Sequence, residues 1–452
     1  MRCSAFGYIA AISLGCFASG ADAQIAVRNQ GYVPFSDAPI NYRSSDLHDP
    51  VTRLQQQLES GKGKLTYEPE HGYLRSVLQL LQVPVDSQTL VFSKTSFQYP
   101  KISPEHPRAL YFNDDVYVGS VHEGKAIEIV SFDPMQGAIF FLLDERKVEH
   151  PEFQRAELDC TQCHIAAGTR GIPGVILRSV YPTSTGTLVT GTRSFITDQE
   201  SPWSERWGGW YVTGDLAGGI HMGNASVEPP QAAADGSSAP TGASNALHVF
   251  PAAFDASSYL SSSSDVVAHL VLAHQTQMHN LITLTNYKTR LALYSQTSVS
   301  QYQRPAEQLL RYLLFTNEAA LPGGGDQAIG VSSAFAKEFA ARGPRDSKGR
   351  SLRDFDLHTR IFRYPCSYLI YSDSFDALPD PAREYVYHRL LEVLSGQDTS
   401  PDFARLTATD REAVLEILLD TKPNLPREWR DYATSHHLQV AAAASTSSSH
   451  TS

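Results

Sequence analysis

Cys160-Thr161-Gln162-Cys163-His164 sets two thiols three residues apart, with an imidazole directly after the second. Thiols at this spacing can add to the two vinyl groups of a porphyrin, and a histidine in that place then falls beneath the iron as an axial ligand. With 5 cysteines and 16 histidines in 452 residues, roughly 0.002 such matches are expected by chance. Two other chemistries use a C-x-x-C pair: a redox dithiol at a helix start, and half of a zinc site. The dithiol belongs in a β-α-β-α setting, whereas the apolar runs before Cys160 follow one another without intervening helices. Zinc would need histidine ligands, since a second cysteine pair is missing. The first reading is one covalent haem c on Cys160 and Cys163, with His164 as proximal iron ligand.

The sixth iron position decides between electron transfer, where a His or Met closes the site, and chemistry at an open position. His221-Met222 follows Gly214, Gly218 and Gly219, on a turn able to approach a flat cofactor. The competing pair is His274 and Met278. With Val267, Leu270, Val271, Leu281 and Ile282 they follow i, i+3, i+4 spacing, which puts them on the buried stripe of a long helix. For each pair the plainer alternative is a structural residue: a histidine bonded to backbone and a methionine filling space. His269 and His279 fall off the stripe and read as ordinary. Trp203, Trp207, Trp210 and Tyr211 could pack on a porphyrin, and Arg170, Arg178, Arg193 or Arg206 could pair with its propionates.

The N-terminus bears on where such chemistry would happen. Met1-Arg2, an uncharged run from Ala5 to Ala18, and Ala21-Asp22-Ala23 fit a cleaved signal peptide over 1–23, hence a periplasmic or secreted protein. A lipoprotein signal at Cys16 would want a large aliphatic residue where Ser13 stands. Cleavage leaves Cys160, Cys163 and Cys366, too few for a disulfide framework, and Cys366 reads as a buried core residue. The net charge of −11 disfavours nucleic acid and suits a cationic redox partner, whose identity the sequence does not reveal. No later apolar run approaches the length of a membrane span.

The elements that must position the motif read as α+β. Helices are predicted at Pro50 to Glu59 and Tyr73 to Gln82, followed by strands at Thr89 to Ser93, Ala109 to Phe112, Val116 to Val121, Ala126 to Phe132 and Ala138 to Asp144. These form an antiparallel meander that delivers the chain to Cys160. A long helix runs from its N-cap, Asp265, to about Ser295. More helices follow at Pro305 to Ala320, Ser333 to Ala341, Pro381 to Leu394 and Asp410 to Leu419. The regions are 24–150, α+β; 151–225, the attachment region; 226–263, a linker or loop; 264–440, helical; and 441–452, a disordered tail. Pro322-Gly323-Gly324-Gly325-Asp326 lacks the lysine of a phosphate loop. His269, His274 and His279 lack zincin spacing, and no G-x-S-x-G is present.

At the motif the chain resembles the c-type cytochromes. More widely it resembles large secreted bacterial proteins with a cytochrome-c domain and a single C-x-x-C-H. That likeness rests on Arg206-Trp207-Gly208-Gly209-Trp210-Tyr211-Val212-Thr213-Gly214, His221-Met222-Gly223-Asn224, His274-Gln275 with Met278-His279-Asn280, and Arg363-Tyr364-Pro365-Cys366. The resemblance implies haem binding. Size and the strand-rich segment before the motif depart from small carriers, and the lack of a second C-x-x-C-H departs from dihaem peroxidases. The expected function is one-electron transfer; the alternatives are a haem enzyme or ligand sensor with an open distal site, and a zinc-binding protein.

Overall fold

A computed structural model describes residues 33–44, 46–227, 247–249 and 256–438. The signal peptide, the tail and most of the linker expected from the sequence lie outside the described residues. The α+β class is observed: a seven-stranded antiparallel sheet occupies the first half, and helices dominate the second.

Two helices come first, α1 (Pro50–Glu59) and α2 (Leu74–Leu80). Asp49 caps α1, its carboxylate accepting from the amides of Val51 and Thr52, and Pro50 occupies the first turn, where no N–H is needed. The sheet strands are β1 (Thr89–Val91), β2 (Arg108–Phe112), β3 (Val116–Ser120), β4 (Ala126–Asp133), β5 (Gly137–Asp144) and β6 (Phe153–Arg155). Helix α3 (Glu157–His164) leaves the edge strand β6 directly. Two short strands, β7 (Arg178–Ser179) and β8 (Phe195–Ile196), pair with each other, and β9 (Trp210–Tyr211) returns to pair with β1. The sheet order is therefore β6-β5-β4-β3-β2-β1-β9.

Alternation along the strands divides the interior in two. Tyr111, Val118, Ile129 and Phe141 point to one face and pack with Leu54, Leu74, Val77 and Leu78 of α1 and α2. Phe112, Tyr117, Phe132 and Phe140 point to the other and share a core with α4 (Val266–Tyr294) and the helices after it. Those are α5 (Ser300–Leu313), α6 (Ala334–Ala341), α7 (Asp373–Asp376), α8 (Asp380–Leu394), α9 (Ala408–Thr421) and α10 (Arg427–Ser435). Cys366 is fully buried in this core.

Helix α4 begins after Asp265, whose carboxylate accepts from the amides of Val267 and Ala268. It differs from the amphipathic helix that the spacing predicts: every residue from Val266 to Tyr287 is buried, so it has no solvent face over that length. His269 and His279, off the apolar stripe, are as inaccessible as His274 on it. A helix buried all round must find internal partners for its polar side chains, and much of this one's bonding cross-links loops, although Nδ1 of His269 and of His279 has no partner. His269 Nε2 donates to Tyr211 O at 2.9 Å, Gln275 Nε2 to Asn113 O at 2.6 Å, Gln277 Nε2 to Gly168 O at 3.1 Å, and His279 Nε2 to Asp114 O at 2.8 Å.

Helix boundaries depart from the sequence pattern: α9 runs Ala408–Thr421 rather than Asp410 to Leu419, and two helices end early at left-handed residues. α2 stops at Leu80 because Gln82 takes a left-handed φ of 55°, its neighbour Val83 donating back to Leu78 O. α5 begins at Ser300 rather than Pro305 and ends at Leu313 rather than Ala320. There Phe315, at φ 55°, plays the same terminating part, with Thr316 N donating to Arg311 O.

Candidate functional site

Helix α3 places Cys160, Cys163 and His164 at positions i, i+3 and i+4, which brings all three side chains to one face. That face meets the open end of the sheet. The pocket there has a cavity volume of about 160 Å³, below the ~300–1,000 Å³ usual for cofactor sites, and is partly open to solvent. Cys160 is half-buried and Cys163 exposed at its edge.

The floor comes from two cross-strand rows, which the register fixes. Leu110, Gly119, Glu128 and Leu142 are successive partners across β2, β3, β4 and β5, and Phe112, Tyr117, Val130 and Phe140 form the next row. All but Phe112 line the pocket. Val175, Ile176 and Leu177 form one wall, Leu272 and Thr276 of α4 another, and Thr95, Ser96 and Phe97 the rim. The ring of His164 lies against Phe140, centroids 4.9 Å apart.

His164 is oriented from its far side. Its Nδ1–H donates to Gly174 O at 2.8 Å, which leaves Nε2 as a bare lone pair, the state a metal-ligating imidazole needs. Burial holds its pKa below the ordinary histidine value, so the neutral form is favoured. The carbonyl of Gly174 is itself held in place. Gly174 N donates to His164 O at 3.1 Å, and Asn280 of α4 clamps the next residue, accepting from Val175 N at 3.1 Å and donating to Val175 O at 2.7 Å. A side chain at position 174 would run into Asn280 Oδ1, so glycine is what permits the approach.

One charged pair sits in the floor. Arg108 forms an ion pair with Glu128, and Glu128 Oε1 also accepts from Ser96 Oγ at 2.7 Å and Gln98 Nε2 at 2.8 Å. Cys160 is pushed up to about 12, chiefly by burial, with Glu128 adding to the shift; a reactive dithiol needs the opposite. Cys160 also stands at the fourth position of α3 rather than at its start, away from the helix end that would stabilise a thiolate. Among the described residues no group of three His, Cys, Asp or Glu side chains converges as a metal site, and no helix is long and apolar enough to cross a membrane.

The residues considered for the sixth position lie elsewhere. His221, half-buried, has Nδ1 accepting from Gly223 N at 2.9 Å and its ring edge on Trp207. Met222 is buried, with Sδ 3.6 Å from Ser179 Oγ, and Met278 is fully buried in the helical core. His274 has both nitrogens engaged: Nδ1–H donates to Gln199 Oε1 at 2.5 Å, and Nε2 accepts from Ser367 Oγ at 2.7 Å. None of the four lines the pocket beside His164; Leu272 and Thr276 point there, and His274 and Met278, each two residues further on, face the other way. Trp203, Trp207 and Trp210 cluster around His221 and His269, and Tyr211 packs on Phe92. Arg178 and Arg193 bond to Ser194 and Glu205, and Arg206 to the carbonyls of Ser201 and Gln199. They and Arg170 stand outside the pocket.

The pocket residues without a motif are Arg108, Gly119 and Glu128, with Gly174 and Asn280 behind His164. One signal in the sequence pointed to them: Glu128 interrupts the apolar run Ala-Ile-Glu-Ile-Val-Ser-Phe of β4, and a charge on an inward-facing strand position needs a partner. Comparison with protein-family models, curated proteins and solved structures finds no match.

Proposed function

We propose that this chain is an exported monohaem c-type cytochrome that carries one electron at a time, its porphyrin bound through Cys160 and Cys163 in the pocket between α3 and the sheet. The observation that carries the reading is the Nδ1–H of His164 donated to Gly174 O, with Nε2 free, on the helical face that bears both thiols. The residues fit the group in two further ways: the floor is mostly apolar, and no third zinc ligand accompanies the cysteine pair among the described residues. Bound haem would supply a one-electron iron couple. The chain's own residues keep the imidazole neutral and fixed, exclude water with Val130, Phe140, Leu142 and Leu177, and set one anchor, Cys163, at the surface where a partner reaches it. Low polarity around such a site favours the reduced form.

A second reading, a haem enzyme or ligand sensor, draws on the position of Arg108, Tyr117 and Thr276 in the pocket and of His221, Met222, His274 and Met278 outside it. Purified protein from a host able to attach c-type haem separates the cases. The carrier gives a mass increased by one porphyrin, a dithionite-reducible spectrum, and no response to carbon monoxide or cyanide; a prompt response favours the second reading. Replacing both cysteines (Cys160→Ala, Cys163→Ala) abolishes covalent haem. A colourless protein of unmodified mass would falsify both.

A further inference from the structure

The charged pair in the pocket floor is unevenly provided for. Glu128 keeps two donors, Ser96 Oγ and Gln98 Nε2, whether or not Arg108 is present. Arg108 has Glu128 as its one hydrogen-bonding partner, through Nη2, and its wholly buried Nε has none. A largely buried guanidinium holding a single acceptor is the costlier half of the pair, because its buried Nε–H has lost water without replacement. Room for it is built in. It lies over Gly119, where a Cβ would come within 2.5 Å of Nη2 and 2.8 Å of Nε. The rest of the floor row, Leu110 and Leu142, offers no side-chain acceptor, and no hydrogen bond joins Arg108 to Asp159, Thr95 or Thr276 elsewhere in the lining, so a group entering the pocket can supply one.

We propose that Arg108 is the anion-binding residue of this pocket: it takes a carboxylate oxygen from the group bound there, while Ser96 and Gln98 retain Glu128. That carboxylate has two sources. It belongs either to a propionate of the covalently held porphyrin, which rests on the reading above, or to a free small carboxylate, which does not. Guanidinium suits both through paired N–H groups.

The test uses the full mature chain as wild type, Arg108→Gln, Arg108→Lys and Glu128→Gln, with sodium formate as probe against sodium chloride at equal ionic strength. For a porphyrin carboxylate, Arg108→Gln keeps covalent haem by mass but shifts the midpoint potential and its pH profile, Arg108→Lys restores part of the shift, and formate leaves the melting temperature of wild type unchanged. For a free carboxylate, formate raises that temperature, and Arg108→Gln weakens formate binding by at least about tenfold. Should Arg108→Gln fail to fold, Glu128→Gln carries the test. Removing the competing charge then alters the potential of the haem protein, or tightens formate binding severalfold. If the protein proves colourless, the porphyrin reading fails and the formate arm still decides the role of Arg108. A wild-type potential and pH profile in Arg108→Gln and Glu128→Gln, together with no formate effect on wild type, overturns the proposal.

Discussion

His164 owes its orientation to a residue more than a hundred positions away, through the clamp of Asn280 on Val175 and the carbonyl of Gly174. Truncating Asn280→Ala leaves two buried backbone groups unpaired and costs about 1–3 kcal/mol. Gly174→Ala costs a similar amount by collision with the same amide. Because one truncation removes both clamp and obstacle, the double variant is less destabilised than the sum of the singles, and additive losses in a denaturant cycle would disprove the linkage. His274 yields a prediction of a different kind. Burial lowers its pKa from 6.5 to about 3, so unfolding takes up a proton between those values. Its contribution is therefore complete above 6.5 and lost as pH falls toward 3. His274→Gln destabilises by about 1–3 kcal/mol at neutral pH, a deficit that shrinks by roughly 1.4 kcal/mol per pH unit as pH falls from 6.5 toward 3. Urea titrations at neutral and acidic pH check this; a deficit constant with pH would sink it. That Cys160, Cys163 and His164 come together was legible because their spacing puts them on one helical face. Arg108, Gly174 and Asn280 were not, since each acts through a contact between distant segments. His274 and Met278 were correctly read as buried, but burial on a helix enclosed on all sides does not say which neighbour a side chain meets.

The five strands from Thr89 to Asp144 were legible to within about two residues, because short alternating runs between Asn-Asp-Asp, Glu-Gly-Lys and Asp-Pro-Met-Gln-Gly turns leave little choice of register, whereas the short edge strands β6 and β9 were not. Helix ends were less so. Glycine is the usual terminator, and here Gln82 and Phe315 adopt left-handed backbone in its place, which apolar periodicity cannot foresee. Gln82 is exposed, so Gln82→Gly removes the strain without opening a cavity and raises stability by about 1 kcal/mol, read as a higher melting temperature. No gain would mean that α2 is ended by its packing instead. The all-round burial of α4 was hidden for a related reason: its polar residues look like a solvent face until the loops they bind are in place.

The sheet and the helical half share one continuous core, in which Phe112, Phe132 and Phe140 meet Leu270, Val271 and Leu281. Neither half can cover its apolar face alone. We expect a single unfolding transition, and residues 264–438 expressed separately to lack a melting transition; a folded fragment would contradict this. The α+β class was legible, and the pocket was not, for it exists only where β2 to β5, α3 and α4 converge. That convergence has a temporal side. The floor strands and the two thiols precede Leu272 and Thr276 by a long stretch of chain, so a polypeptide emerging from its N-terminus presents an uncovered apolar bed with two thiols beside it. On the proposed function, a porphyrin would be fastened there before the central helix arrives to shut the remaining side.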